Sequence, residues 1–172
     1  MRVLIDTNIL ISSALSNKGT PYRAFIKAVS YPNHGLICEQ NIDEMRRIFN
    51  RKFPQKISAL ESFLSLALLT LEVVPTPMVE YASEEQIRDI NDRPILRAAI
   101  HAKADILLTG DKDFLESGLQ KPQILTAAEF LQIEYSSLDN RQKPDTISLN
   151  QRSCPAFIYL QFMHLYYLLM LL

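Results

Sequence analysis

Short apolar runs that stop abruptly at a polar residue or a glycine constrain this chain more than any other feature. Val3-Leu4-Ile5 ends at Asp6, Gly35-Leu36-Ile37-Cys38 ends before a polar segment, and Asp105 to Thr109 (DILLT) ends at Gly110. Runs this short and this continuously apolar fit strands buried on both faces. Leu71 to Val74 is a further strand, and Pro122 to Leu125 a candidate fifth. Between them the spacing is helical. Helices are expected over Asn8 to Leu15 and Thr20 to Tyr31, with Pro21 suited to a first turn. A basic amphipathic helix is expected over Asn41 to Phe53, where Ile42, Met45, Ile48 and Phe49 share one face. Pro54 breaks it, and Lys56 to Leu69 forms the next. Ser83 to Ile90 is polar with some helical character. Pro94 to Lys103 buries Ile95, Ala98, Ala99 and Ala102, and Thr126 to Gln132 reads as a capped helix. Strands alternating with helices imply an α/β chain: a three-layer α/β/α arrangement around a central parallel sheet.

The chain has 172 residues, 48% hydrophobic and 22% charged, which suits one domain with a sizeable core. Its formal net charge of −1 gives no field that would attract nucleic acid, so such binding needs a local basic patch. Cys38 and Cys154 are far apart and show no zinc-type pairing, which fits a reducing cytoplasm. MRVLIDTNIL is no signal peptide, because an acid interrupts it before an apolar region develops. Composition places the domain at residues 1–133, a polar linker at 134–154, and an apolar segment at 155–172. The last (PAFIYLQFMHLYYLLMLL) is about long enough to span a bilayer, although Gln161 and His164 weaken that reading. The other reading is a helix packed on the protein or on a partner.

In an open parallel sheet, ligands bind beyond the carboxyl ends of the strands. Asp6 sits at such an end, and Asp111 just past another in TGDKDF. Asp92 opens a helix in NDRPIL, and Glu44 lies one turn into the helix after the second strand. Each has a structural explanation. Asp6 can cap a helix, and Glu44 can pair with Asn41 in a capping box. Asp92 can favour a helix N-terminus, and Asp111 and Asp113 can be turn residues. Four acids at one sheet edge would raise each other's pKa without a counter-charge, and a hard divalent cation removes that cost.

LIDTNIL at Leu4–Leu10, NIDEMRRIF around Glu44, DINDRPILRAAIHAKADILLTGDKDFL at Asp89–Leu115 and ILTAAEFL at Ile124–Leu131 together resemble the PIN-domain family, in particular its toxin branch in bacterial and archaeal toxin–antitoxin systems. The resemblance covers about Met1 to Gln132. It implies a PIN-like fold and a divalent-metal-dependent endoribonuclease, using Mg²⁺ or Mn²⁺ on single-stranded or structured RNA. The acidic quartet carries over onto Asp6, Glu44, Asp92 and Asp111 as catalytic and metal-binding residues, with Asp113 a weaker fifth. Asn8 and Thr109 match the supporting polar residues. The implied partners are an antitoxin protein and a second copy of the chain.

For RNA, Arg46, Arg47, Arg51 and Lys52 cluster on and after the Glu44 helix; the alternative is a solvated face. A dehalogenase-like phosphatase would need an acid where Asn8 stands, and four glycines leave no glycine-rich phosphate loop. The rival function is a PIN-like module that binds RNA or protein without cutting. Site-specific Mn²⁺ binding separates the two.

Overall fold

Val3, Leu4 and Ile5 are fully buried, and so are Leu36, Ile37 and Cys38, as central strands covered on both faces require. The structure, a computed structural model, describes residues 1–134. Its strands are β1 (Arg2–Ile5), β2 (His34–Cys38), β3 (Glu72–Val74), β4 (Ile106–Leu108) and β5 (Gln123–Leu125). The helices are α1 (Thr7–Leu15), α2 (Thr20–Val29), α3 (Glu39–Lys52), α4 (Ile57–Ala67), α5 (Arg93–His101), α6 (Lys112–Leu115) and α7 (Ala127–Gln132). The sheet is parallel throughout, in the order β3-β2-β1-β4-β5. Residues Met1–Leu131 form one compact unit. Of the expected linker and apolar segment, residues 135–172 lie outside the described residues. No helix among the described residues is long and apolar enough to cross a membrane.

Side chains alternate across a strand. Leu4, Leu36, Cys38 and Leu107 therefore meet Ile95, Leu96, Ala98 and Ala99 of α5, with Phe114 of α6, in one core layer. On α2 and α4, Phe25 and Phe63 meet in a tilted ring contact at 5.5 Å between centroids. Burying each such large apolar side chain contributes about 1.5–3 kcal/mol. The chain runs outward from β1 to β3, then returns across the sheet to β4 on the other side of β1. This reversal makes the boundary between β1 and β4 the topological switch point, where the carboxyl ends of two strands splay apart.

Three local features differ from the sequence expectations. The basic helix begins at Glu39, two residues earlier than its apolar face suggests. Asn41 Oδ1 accepts the Cys38 backbone N–H at 3.1 Å, which lets α3 start directly from the end of β2. The capping partner of Asn41 is thus Cys38 and not Glu44. The GDKDFL turn winds into the short helix α6, capped by Asp111. The polar segment before Asp92 holds a 3₁₀ turn at Ala82–Gln86. There the buried Glu84 takes two bonds from Arg97 of α5, at 2.7 and 2.9 Å, and Arg97 also reaches the Pro77 carbonyl at 3.2 Å. Arg97 holds the Glu84 carboxyl below its ordinary pKa. The pair fastens the 75–90 connection onto the helix that follows Asp92.

Candidate active site

Three of the four acids occupy positions just ahead of helices: Asp6 before α1, Asp92 before α5 and Asp111 before α6. The fold puts Asp6 and Asp111 there because β1 and β4 end after three buried apolar residues and the chain must turn, while Asp92 arrives at the end of the 75–90 connection. Asp6 is 4% exposed and is the most constrained. Its Oδ1 accepts the Thr7 backbone N–H at 2.6 Å, and its Oδ2 accepts Asn8 Nδ2 at 2.7 Å and Thr109 Oγ1 at 2.6 Å. Asp6 does cap α1, but only one of its oxygens serves the helix.

Thr109 stands across the switch point at the end of β4. Its hydroxyl donates to Asp6 and accepts the Asp111 backbone N–H at 2.9 Å, while Asn8 Oδ1 accepts the Gly110 N–H at 3.0 Å. Asn8 and Thr109 therefore staple the β1 turn to the β4 turn and fix Asp6 relative to Asp111. Asp111 Oδ1 accepts the Asp113 N–H at 2.8 Å, which leaves its second oxygen outside the cap. Asp92, although placed before α5, makes no side-chain capping bond. Glu44 comes in from α3, with Oε2 accepting the Thr7 hydroxyl at 2.8 Å and Oε1 3.5 Å from Arg47.

The four acids lie within reach of each other's charge. Burial pushes the Asp92 carboxyl up to about 7, and the charges of Asp6, Asp111, Asp89 and Glu44 add to the shift. Burial likewise pushes Asp6 up to about 6, reinforced by Glu44 and Asp111, despite the opposing bonds from Thr109 and Thr7. Such an uncompensated cluster fits a divalent cation, whose charge would reverse both shifts. Among the described residues no three His, Cys, Asp or Glu side chains already form a closed metal-ligating group. The donor set suits an ion that keeps several waters and takes one or two carboxylates directly, as Mg²⁺ does.

A family model for the PIN domain matches residues 2–113. The chain belongs to the PIN-domain family. No curated protein sequence matches it significantly. Among solved structures it is similar to VapBC2 from Rickettsia felis, bound to a DNA fragment from its promoter. That match has a TM-score of 0.56 and 18% identity, over 73% of this chain and 98% of the other. It is also similar to VapC20 of Mycobacterium tuberculosis, a sarcin-ricin loop cleaving toxin. Here the TM-score is 0.49 and the identity 17%, over 68% of this chain and 95% of the other. The VapBC2 likeness establishes the same three-layer fold.

Within this PIN domain, Asp113 faces away from a purely ligating role. Its Oδ1 meets Arg88 Nη2 at 2.5 Å and its Oδ2 accepts the Asp89 backbone N–H at 3.1 Å. It therefore links the Asp111 turn to the connection leading to Asp92. On the basic helix, Arg46 is held by Glu61 of α4 through two bonds of 2.8 and 2.9 Å. Arg47, Arg51 and Lys52 are exposed. No sequence pattern marks Thr7 or Arg88, and Asn41 stands out only as a helix cap. Thr7 and Asn41 are polar yet only 4% and 0% exposed, but in sequence they look like ordinary first-turn residues. Arg88 lies 25 positions from its partner Asp113, a pairing no local pattern signals.

Proposed function

We propose that this PIN domain is a divalent-metal-dependent endoribonuclease, cleaving single-stranded or structured RNA as the toxin of a type II toxin–antitoxin pair. The observation that carries the reading is the placement of Asp6, Glu44, Asp92 and Asp111 about the switch point, with the Asp6 and Asp92 carboxyls raised by burial and further by neighbouring acids. Asp6, Asp92 and Asp111 would hold Mg²⁺ or Mn²⁺, directly or through water. Glu44 would hold a second ion or orient the attacking water. When bound, the cation lowers the pKa of water and offsets charge on the attacked phosphate and the leaving oxygen. Asn8 and Thr109 keep the carboxylates in register. The likeness to VapBC2 supports an antitoxin partner.

Because water is the nucleophile, cleavage is expected to leave a linear phosphate monoester and a hydroxyl with no 2′,3′-cyclic phosphate, and 2′-deoxy substitution at the scissile site should not block it. End-group analysis of the products checks this. Cyclic phosphate ends would mean that the ribose 2′-hydroxyl attacks, and would overturn the hydrolytic reading.

Arg47, Arg51 and Lys52 run along the exposed side of α3 from the turn of Glu44 to the helix end. Phosphate contacts there would position a strand without reading its sequence. Replacing all three with Gln is expected to reduce the slope of log K against log salt by about 2, from roughly 0.7 per contact on a single strand. Binding measured from low to moderate salt reads this directly. An unchanged slope would return the face to ordinary solvated surface. Arg46→Gln alone should leave the slope unchanged, since Glu61 already occupies that guanidinium.

A further inference from the structure

Glu44 is the one acid of the quartet that lies inside a helix rather than just ahead of one, so something must hold its flexible side chain at the site. The Cys38 backbone N–H can only donate, so the Asn41 atom it meets at 3.1 Å must be the carbonyl Oδ1. The same oxygen accepts the Cys38 thiol at 2.9 Å. This fixes the carboxamide's orientation and turns Nδ2 toward Thr7 Oγ1, at 3.0 Å. The Thr7 oxygen is then already an acceptor, and its proton points to Glu44 Oε2, 2.8 Å away. Asn41 is wholly buried and Thr7 nearly so, which leaves little room for water to replace either bond.

We propose that Thr7 and Asn41 are positioning residues for Glu44: the locked Asn41 carboxamide forces the Thr7 hydroxyl to donate to Glu44 Oε2 and so anchors that carboxylate at the acidic cluster. The anchored oxygen faces inward and Oε1 stays available on the open side, where Arg47 stands. The proposal rests on the nuclease reading for its catalytic consequence, but the linkage itself is a property of the metal-free chain.

The test uses the full chain with Thr7→Val, which keeps the shape and removes the hydroxyl, and Thr7→Ser, which keeps the hydroxyl. A double-mutant cycle with Glu44→Ala is followed by urea unfolding of the metal-free protein. Thr7→Val is expected to lower the urea midpoint more in the wild-type chain than in the Glu44→Ala chain. Equal drops in both would overturn the proposal. In RNA cleavage with Mn²⁺, Thr7→Val is expected to lower kcat at least tenfold with KM within twofold, and Thr7→Ser to restore it. An unchanged kcat for Thr7→Val, or an equal loss for Thr7→Ser, would also overturn it. A wild-type chain that keeps the coupling but cuts no RNA would support the linkage and sink the nuclease reading instead.

Discussion

Asp6→Asn is expected to cut RNA cleavage at least about 100-fold, since even residues that only support metal ligands are worth 10–100-fold. The metal-free protein should keep its melting temperature or gain a few degrees. Two opposing effects set that outcome. The Asp6 carboxyl is pushed up to about 6 from 3.8, so its charged form costs on the order of 3 kcal/mol at neutral pH. Asparagine removes that cost. It also turns an NH₂ toward the Asn8 Nδ2 that now donates to Oδ2, losing a hydrogen bond worth about 1–1.5 kcal/mol. The Thr109 hydroxyl can rotate to accept, and the remaining carbonyl still caps α1 through the Thr7 N–H. A melting temperature several degrees lower would mean that Asp6 is chiefly a structural cap.

The second large effect is on stability against pH. Asp6 and Asp92 have folded-state pKa values of about 6 and about 7, above an ordinary value of 3.8. The folded chain therefore holds more protons than the unfolded chain between about pH 4 and pH 7. By linkage, stability must fall as pH rises through that window. The metal-free protein is expected to be more stable at pH 5 than at pH 8 by a few kcal/mol, in two overlapping steps that belong to the coupled pair. Glu84, Glu72 and Glu61 are held below their ordinary values by Arg97, Arg2 and Arg46. They act in the opposite sense, but only below about pH 5. Asp92→Asn should remove most of the slope. Mg²⁺ should flatten or reverse it, because the ion binds the deprotonated acids. Urea midpoints from pH 5 to pH 8 that stay flat or rise without metal would contradict the coupled-acid account.

Much of this was legible in the sequence, for identifiable reasons. Val3-Leu4-Ile5 and Ile106-Leu107-Leu108 are buried on both faces, so an unbroken apolar run marks them, and the polar residue that ends each run marks the sheet edge. Asp6 and Asp111 follow directly. Asp92 is visible because Pro94 announces a helix start. Glu44 is less marked: its helix period places it on a polar face like any solvated acid, and only its place one turn into the helix after the second strand, together with the family resemblance, singles it out. Thr7 and Asn41 stayed hidden because a polar residue in a first helical turn is most simply a cap. Their significance depends on the β2–α3 junction lying beside the β1–α1 turn, which brings Asn41 within 3.0 Å of Thr7 across 34 positions. Arg46 looked equivalent to Arg47 in sequence. The packing of α4 against α3 distinguishes them by giving Arg46 the Glu61 carboxylate. Non-local pairings of this kind carry no periodicity, so no local pattern reports them.

The central claim is that the four acids form a cation-dependent site for cutting RNA. Its most direct test follows a labelled single-stranded RNA with the wild-type chain, first in EDTA and then with added Mn²⁺, beside Asp6→Asn under the same conditions. The account predicts no cleavage in EDTA, cleavage restored by Mn²⁺ for the wild type, and none for Asp6→Asn at any Mn²⁺ concentration. Undiminished wild-type cleavage in EDTA, or equal cleavage by Asp6→Asn, would contradict it.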